Sequence, residues 1–267
     1  MCYQSTKPLL EYPFETICVN SKTGIVPWDT TLPHKGTLNV DTYTAGKPWK
    51  EARRQHIMEV AYQLFSEKGI GEVTMPEIAQ ASGVSRATLY RYFNSKLDLV
   101  VAISTWTWSA YISTNNATIT PEAFEHMSGA ECLKFYLDSF VDLYRNHGAL
   151  LRFNYDFNSY LHHDAGTPEQ RQSYIDLMGQ LHASFRVIYE RGQRDGTLNA
   201  DISEEAMFSG MIHIMLAAAT RYAVGLVYVS EETSPESELN MLAELLLSRY
   251  TRQRGAPAEE MPEAWQP

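Results

Sequence analysis

From residue 47 onward, apolar residues recur every three or four positions, the spacing that gathers them on one side of a helix. Ile57, Val60, Ala61, Leu64 and Phe65 predict a helix over 49–68, stopped by Gly69. Thr74-Met75-Pro76-Glu77 is a helix-start signal: a side-chain acceptor, a proline in the first turn and a glutamate reaching back. That helix has only about two turns before Ser82-Gly83, where glycine permits a sharp turn. Ser85 then caps a third helix over 85–93, with Leu89 and Phe93 on its apolar side and Val84 before it. Asn94-Ser95-Lys96 closes that helix and opens another, from Leu97 to about Asn115. Past Lys96 the pattern is helical throughout. Thr120-Pro121-Glu122, Thr167-Pro168-Glu169 and Ser234-Pro235-Glu236 repeat one start signal. Between them the periodicity predicts helices near 121–146, 148–162, 168–194, 203–229 and 235–252. The expected fold class is therefore all-α. Residues 1–46, with eight threonines and four prolines, show no sustained period and predict an extended or disordered arm. Residues 255–267 predict a frayed tail.

The 85–93 helix carries Arg86, Ala87, Thr88, Tyr90 and Arg91 away from its apolar side. Arginines, hydroxyls and an aromatic are poor core material, but they donate well to phosphates and base edges. Two short helices joined by a tight turn, the second presenting such a face, are helix-turn-helix chemistry. Lys96 sits at a helix N-terminus, against the macrodipole, which suggests an anion for it to meet.

The run AYQLFSEKG, then VTMPEIAQASGVSRATLYRYF, then NSKLDLV resembles the DNA-binding domain of the tetracycline-repressor (TetR) family of bacterial transcriptional regulators. The likeness covers roughly Lys47 to Ile103. It implies an N-terminal three-helix helix-turn-helix domain over 47–98. A C-terminal helical domain over 99–254 would bind ligand and dimerise. By resemblance, Arg86, Ala87, Thr88 and Arg91 fall where the family reads bases, and Thr74, Tyr90, Tyr92 and Lys96 where it holds phosphates. Pro76 departs from the pattern, since it removes a donor and an amide at the start of the supporting helix.

Charge sharpens this picture. The chain carries a formal −10, yet Lys47 to Asp98 holds eight basic and six acidic residues, a net +2, which leaves −12 for the rest. A reading head on an acidic body fits that asymmetry. Cys2, Cys18 and Cys132 show no CxxC pairing or metal spacing, and the start carries no secretory pattern. A cytoplasmic protein with reduced thiols is expected. The apolar run from Gly210 to Val229 is broken by His213 and Arg221, which predicts a buried or interface helix and no membrane span. GxSxG, GxxxxGK[ST], HExxH and GxGxxG motifs are all absent, so no catalysis, cofactor or metal is expected.

Two stripes carry a homodimer expectation. Leu239, Leu242, Leu246 and Tyr250 line the last helix, and Met207, Met211, Ile214, Ala218 and Gly225 the one before it. In the resembled family these helices pair with their copies, and two-fold symmetry suits a palindromic operator on double-stranded DNA. The middle helices are rich in aromatics. Trp106, Phe135, Phe153, Phe157, Tyr160, Phe185 and Tyr189 are the pocket candidates for a small apolar or aromatic effector, a role the resemblance implies, since aromatics at helical spacing also build plain core. The expected function is a ligand-responsive repressor. The alternative is a nucleoid-associated or partner-binding DNA-binding protein without an effector.

Overall fold

The computed structural model describes residues 47–164, 166–226 and 232–252. The expected arm and tail lie outside them. Ten helices and no strand occur among the described residues. Three helices form the head, the long α1 (Lys47–Lys68) and the short α2 (Met75–Ala81) and α3 (Arg86–Tyr92). Then come α4 (Lys96–Asn116), α5 (Pro121–His126), α6 (Gly129–Asn146), α7 (Gly148–His163), α8 (Pro168–Arg194), α9 (Glu204–Val224) and α10 (Pro235–Tyr250).

Helices α2, α3 and α4 each begin at a side chain that accepts an otherwise orphaned amide. Thr74 caps α2 in a reciprocal box with Glu77, Ser85 caps α3, and Ser95 caps α4 in a second box with Asp98. Each cap contributes about 1 kcal/mol. Gly69, which ends α1, and Gly83, in the turn between α2 and α3, adopt φ of +84° and +65°. This left-handed region is open to glycine at no steric cost.

The structure departs from the expected boundaries in several places, α1 beginning at Lys47 where 49 was expected. The helix predicted over 121–146 is two helices. Ser128 accepts from the Glu131 amide, and Glu131 in turn accepts from the Ser128 amide at 2.7 Å, so a new helix starts where continuation was expected. The helix predicted over 203–229 ends at Val224, because Gly225 at φ +118° leaves helical geometry. The last helix stops at Tyr250, two residues short of the expected 252. Beyond it, Thr251 bridges Leu198 and the Arg252 amide donates to Thr197 O at 2.9 Å.

Three apolar cores hold the helices together. The first joins Ile57, Phe65, Ile78, Leu89 and Phe93 of the head to Leu97–Ile103 of α4 and to Phe153 and Phe157 of α7. Head and body thus share one core across the expected boundary at residue 98. The second packs α6, α8, α9 and α10 around Leu133, Phe185, Met207 and Met211. The third lies between α4, α6, α7 and α9 around Trp108, Leu143 and Leu151.

Candidate nucleic-acid interface and ligand cleft

The outward face of α3 is fixed from behind. Leu89 is fully buried and Phe93 nearly so, and each contributes about 1.5–3 kcal/mol of apolar burial. That anchoring leaves Arg86, Ala87, Tyr90 and Arg91 exposed, with Thr88 and Tyr92 half-buried at the edge. Ser85 Oγ accepts from the Thr88 amide at 3.1 Å and donates to Thr88 Oγ1 at 2.9 Å, which orients the Thr88 hydroxyl. The Arg91 guanidinium lies 5.8 Å from the Tyr92 ring centroid. The turn before α3 is closed by Val84 N donating to Ala79 O and by Ser82 Oγ donating to Ile78 O at 2.6 Å.

The residues expected at phosphates are differently engaged. Thr74 gives both its amide and its hydroxyl to Glu77 Oε2 at 2.8 Å, so its donors are held inside its own cap. Those hydrogen bonds hold the Glu77 carboxyl below its ordinary range, the amide of Thr74 contributing most. Lys96 Nζ donates to Gly71 O at 3.1 Å and stands 5.4 Å over the Tyr160 ring, and partial burial pushes its pKa down. Lys96 therefore ties the head to α7 as well as standing at the start of α4. Arg53 and Arg54 on α1 stack over Trp49 and Phe93 at 5.0 and 5.2 Å, which brings Arg54 beside the end of α3.

One residue went unnoticed in the sequence. Gln170, at the third position of α8, accepts from the Thr167 amide through Oε1 at 3.0 Å. Its Nε2 donates to Asp98 Oδ1 at 3.0 Å and to Ser95 Oγ at 3.3 Å. A single amide thus joins the caps of α8 and α4. Beside it, Gly166 has φ +56°, and a Cβ there would meet Leu97 Cδ2 at 2.0 Å. The signal within reach was Thr167-x-x-Gln170, a capping box; its second partner, more than seventy residues away, had none.

The aromatic pocket candidates do not converge. Phe153 and Phe157 are buried in the core shared with the head, together with half-buried Trp106 and Tyr160. Phe185 and half-buried Tyr189 belong to the second core. Phe135 instead lines a cleft of about 380 Å³ with Tyr111, Thr114, Asn115, Thr118, Asp138, Ser139, Asp142 and His147. Tyr111 donates to Ser139 O at 2.5 Å; burial chiefly, and then the Asp142 carboxylate, push its hydroxyl pKa up.

The dimer candidates divide as well. Met211, Leu239, Leu246 and Tyr250 are buried against their own chain because α10 packs on both α6 and α9. Ala218 and Leu242 are half-buried. The apolar side chains left outside on these helices include Ile214, Met241 and Leu245, exposed by 43, 57 and 59 %. By length and composition α9 is apolar enough to cross a membrane, yet only 22 % of its most apolar window is buried.

Comparison with known proteins places this geometry. Residues 57–103 match the family described as bacterial regulatory proteins, tetR family. The HTH-type transcriptional regulator AcrR of Shigella flexneri is 46 % identical over 57 residues, which are 21 % of this chain and 26 % of that protein. The chain thus spans about a quarter of the length of the first curated relatives it matches. The HTH-type transcriptional regulator TtgR of Pseudomonas putida is 27 % identical over 165 residues, covering 58 % of this chain and 75 % of TtgR. In fold, the chain is similar to the transcriptional regulator FadR of Bacillus subtilis, solved in complex with stearoyl-CoA. The TM-score is 0.56 at 18 % identity, covering 73 % of this chain and 98 % of FadR.

Proposed function

Since the chain belongs to the tetR family of bacterial regulatory proteins, we propose that it is a transcriptional repressor that binds a palindromic operator as a homodimer and is released by a small effector. The observation that carries the reading is the α3 face, where Arg86, Ala87, Tyr90 and Arg91 project outward from a helix anchored by Leu89 and Phe93. In this reading Arg86, Ala87, Thr88 and Arg91 meet base edges, while Tyr90, Tyr92, Lys96 and Thr74 face phosphates. Lys96 keeps further ammonium protons beyond the one given to Gly71. Thr74 reaches a phosphate only by releasing Glu77.

Two heads would enter successive major grooves about 34–36 Å apart. The exposed apolar residues Ile214, Met241 and Leu245 support pairing of α9 and α10 with a second copy. Effector control would run through α4, which begins in the head's core and ends at the cleft. Lowering operator occupancy a hundredfold requires about 2.7 kcal/mol of effector preference for the released shape. That a protein of the same fold holds stearoyl-CoA supports a body that accommodates a ligand.

The test is recovery of bound genomic fragments at near-physiological salt, followed by footprinting of the strongest. A few inverted repeats with half-sites a helical turn or more apart is the expected result. Diffuse occupancy would remove the operator-specific reading in favour of a nucleoid-associated one.

A further inference from the structure

We propose that the start of α1 is a second contact with DNA, in which Arg53 and Arg54, with Lys50, hold phosphates of the strand that borders the major groove where α3 ends. The proposal rests on the DNA-binding reading above and adds to it a backbone clamp outside the two helices of the helix-turn-helix. Lys50, Arg53 and Arg54 stand at i, i+3 and i+4, on one face of α1. They oppose the helix dipole, and the first turn of α1 has no acidic residue to offset them. The lysines and arginines held in ion pairs among the described residues are Lys68, Lys134, Arg145 and Arg186, so these three cations have no carboxylate partner there.

What the two arginines do touch is aromatic. Arg53 lies 5.0 Å from the Trp49 ring centroid and Arg54 5.2 Å from that of Phe93, and Arg54 Nη1 donates to Met58 Sδ at 3.2 Å. A ring face attracts a guanidinium without consuming its N–H groups, which lie in the guanidinium plane and form the fork that fits a phosphate. Among the described residues Arg53 donates no hydrogen bond, and Arg54 only that one to sulfur, a weak acceptor. Both side chains are therefore held in place with donors still to give, and little freedom remains to be lost on meeting an anion.

Their position makes that anion a DNA phosphate. Phe93 is the C-terminal cap of α3, so Arg54 stands beside the end of the reading face. The seven residues of α3 are about 10 Å of helix, and the major groove is about 12 Å wide. A helix of that length seated across the groove brings its end against a phosphate strand, within reach of an arginine beside it. The start of α2, by contrast, has little to offer: Glu77 binds both donors of Thr74, and Pro76 has no amide hydrogen. The start of α1 supplies the donors that α2 withholds.

The experiment measures binding of the full chain to the strongest recovered operator fragment and to a scrambled duplex of equal length, between about 50 and 200 mM salt. Arg54→Gln should make the salt dependence shallower by roughly one per monomer, and the double exchange of Arg53 and Arg54 to glutamine by roughly two. The two duplexes should respond alike, since phosphates carry no sequence. Lys134→Gln, which removes a body cation on α6, should leave the slope unchanged. Arg54→Lys separates charge from fit: the slope should persist while affinity falls, because an ammonium lacks the planar fork. Uncharged methylphosphonate linkages at the edges of the half-sites should weaken the parent and spare the double variant. Lost affinity in Arg54→Gln with an unchanged slope makes Arg54 a packing residue and overturns the clamp, while the DNA-binding reading stands. A parent chain that binds neither duplex removes that reading and the clamp with it.

Discussion

At the scale of single residues, the interface assigns different tasks to neighbouring cations. Arg91 is exposed on α3 with its guanidinium over the Tyr92 ring, so Arg91→Ala is expected to cost about 1–3 kcal/mol at the specific operator and to relax base preference there. Equal losses on all sequences would instead make it a phosphate contact. Lys96 stands at the root of α4 and holds Gly71 O. Lys96→Ala should weaken binding to every sequence and make the salt dependence shallower by roughly one per monomer; an unchanged slope rules out the phosphate role. Gln170 touches no DNA-facing residue, but its amide secures Ser95 and Asp98. In Gln170→Ala the first-turn amides of α4 should exchange hydrogen faster than in the parent protein, while those of α3 keep their rates. Identical α4 rates would show that the clasp contributes nothing. The positions of Arg91 on α3 and Lys96 at the start of α4 were legible in the sequence because they sit within a local motif, whereas the contacts of Lys96 with Gly71 and Tyr160 were not. Gln170 was half legible: its box with Thr167 is a pattern of four residues, while its bond to Asp98 depends on how two distant helices meet.

At the scale of elements, the same division between local and distant signals recurs. The starts of α2, α3, α4, α8 and α10 were written in Thr74, Ser85, Ser95, Thr167 and Ser234, each followed by a side chain or proline that suits a first turn. The start of α6 was equally local, in Ser128-x-x-Glu131, but the strong apolar period on either side of it favoured one long helix. Ser128→Ala should therefore destabilise the chain by about 1 kcal/mol, measured by urea unfolding. No effect would mean that packing of Cys132 and Leu133 alone sets the helix start. Tertiary packing, by contrast, decided which side of α10 its own chain covers. Leu239, Leu242, Leu246 and Tyr250 form the expected interface stripe, but within the chain Leu239, Leu246 and Tyr250 are buried and Leu242 half-buried, and the exposed apolar positions are Met241 and Leu245. Periodicity reports that a face is apolar; it carries no information on whether that face meets its own chain or another.

At the scale of the whole molecule, the proposed assembly follows from what the monomer leaves uncovered. Leu245→Glu places a charge at one of the two exposed large apolar positions of α10. It should shift the protein toward monomer in analytical ultracentrifugation and weaken operator binding in parallel, with helix content unchanged by circular dichroism. A dimer that survives the substitution would move the interface elsewhere. The expectation of DNA binding came from the head because the chemistry of α3 lies within one short helix. The cleft lined by α4, α6 and His147 was not legible, since it is assembled from residues far apart in sequence; Phe135 is the one expected aromatic that lines it.

The core shared between head and body has a practical side. The matched segment 57–103 resembles an interchangeable cassette, but Tyr62 lies edge-on to Phe153 at 5.2 Å, and Phe153 and Phe157 of α7 seal its apolar interior. Gly166, pressed against Leu97, adds a second fitted joint. A chimera that transplants only the head onto another regulator's body would leave those surfaces wet. A working graft must carry 153–170 along with it, so the portable unit in this protein is discontinuous in sequence.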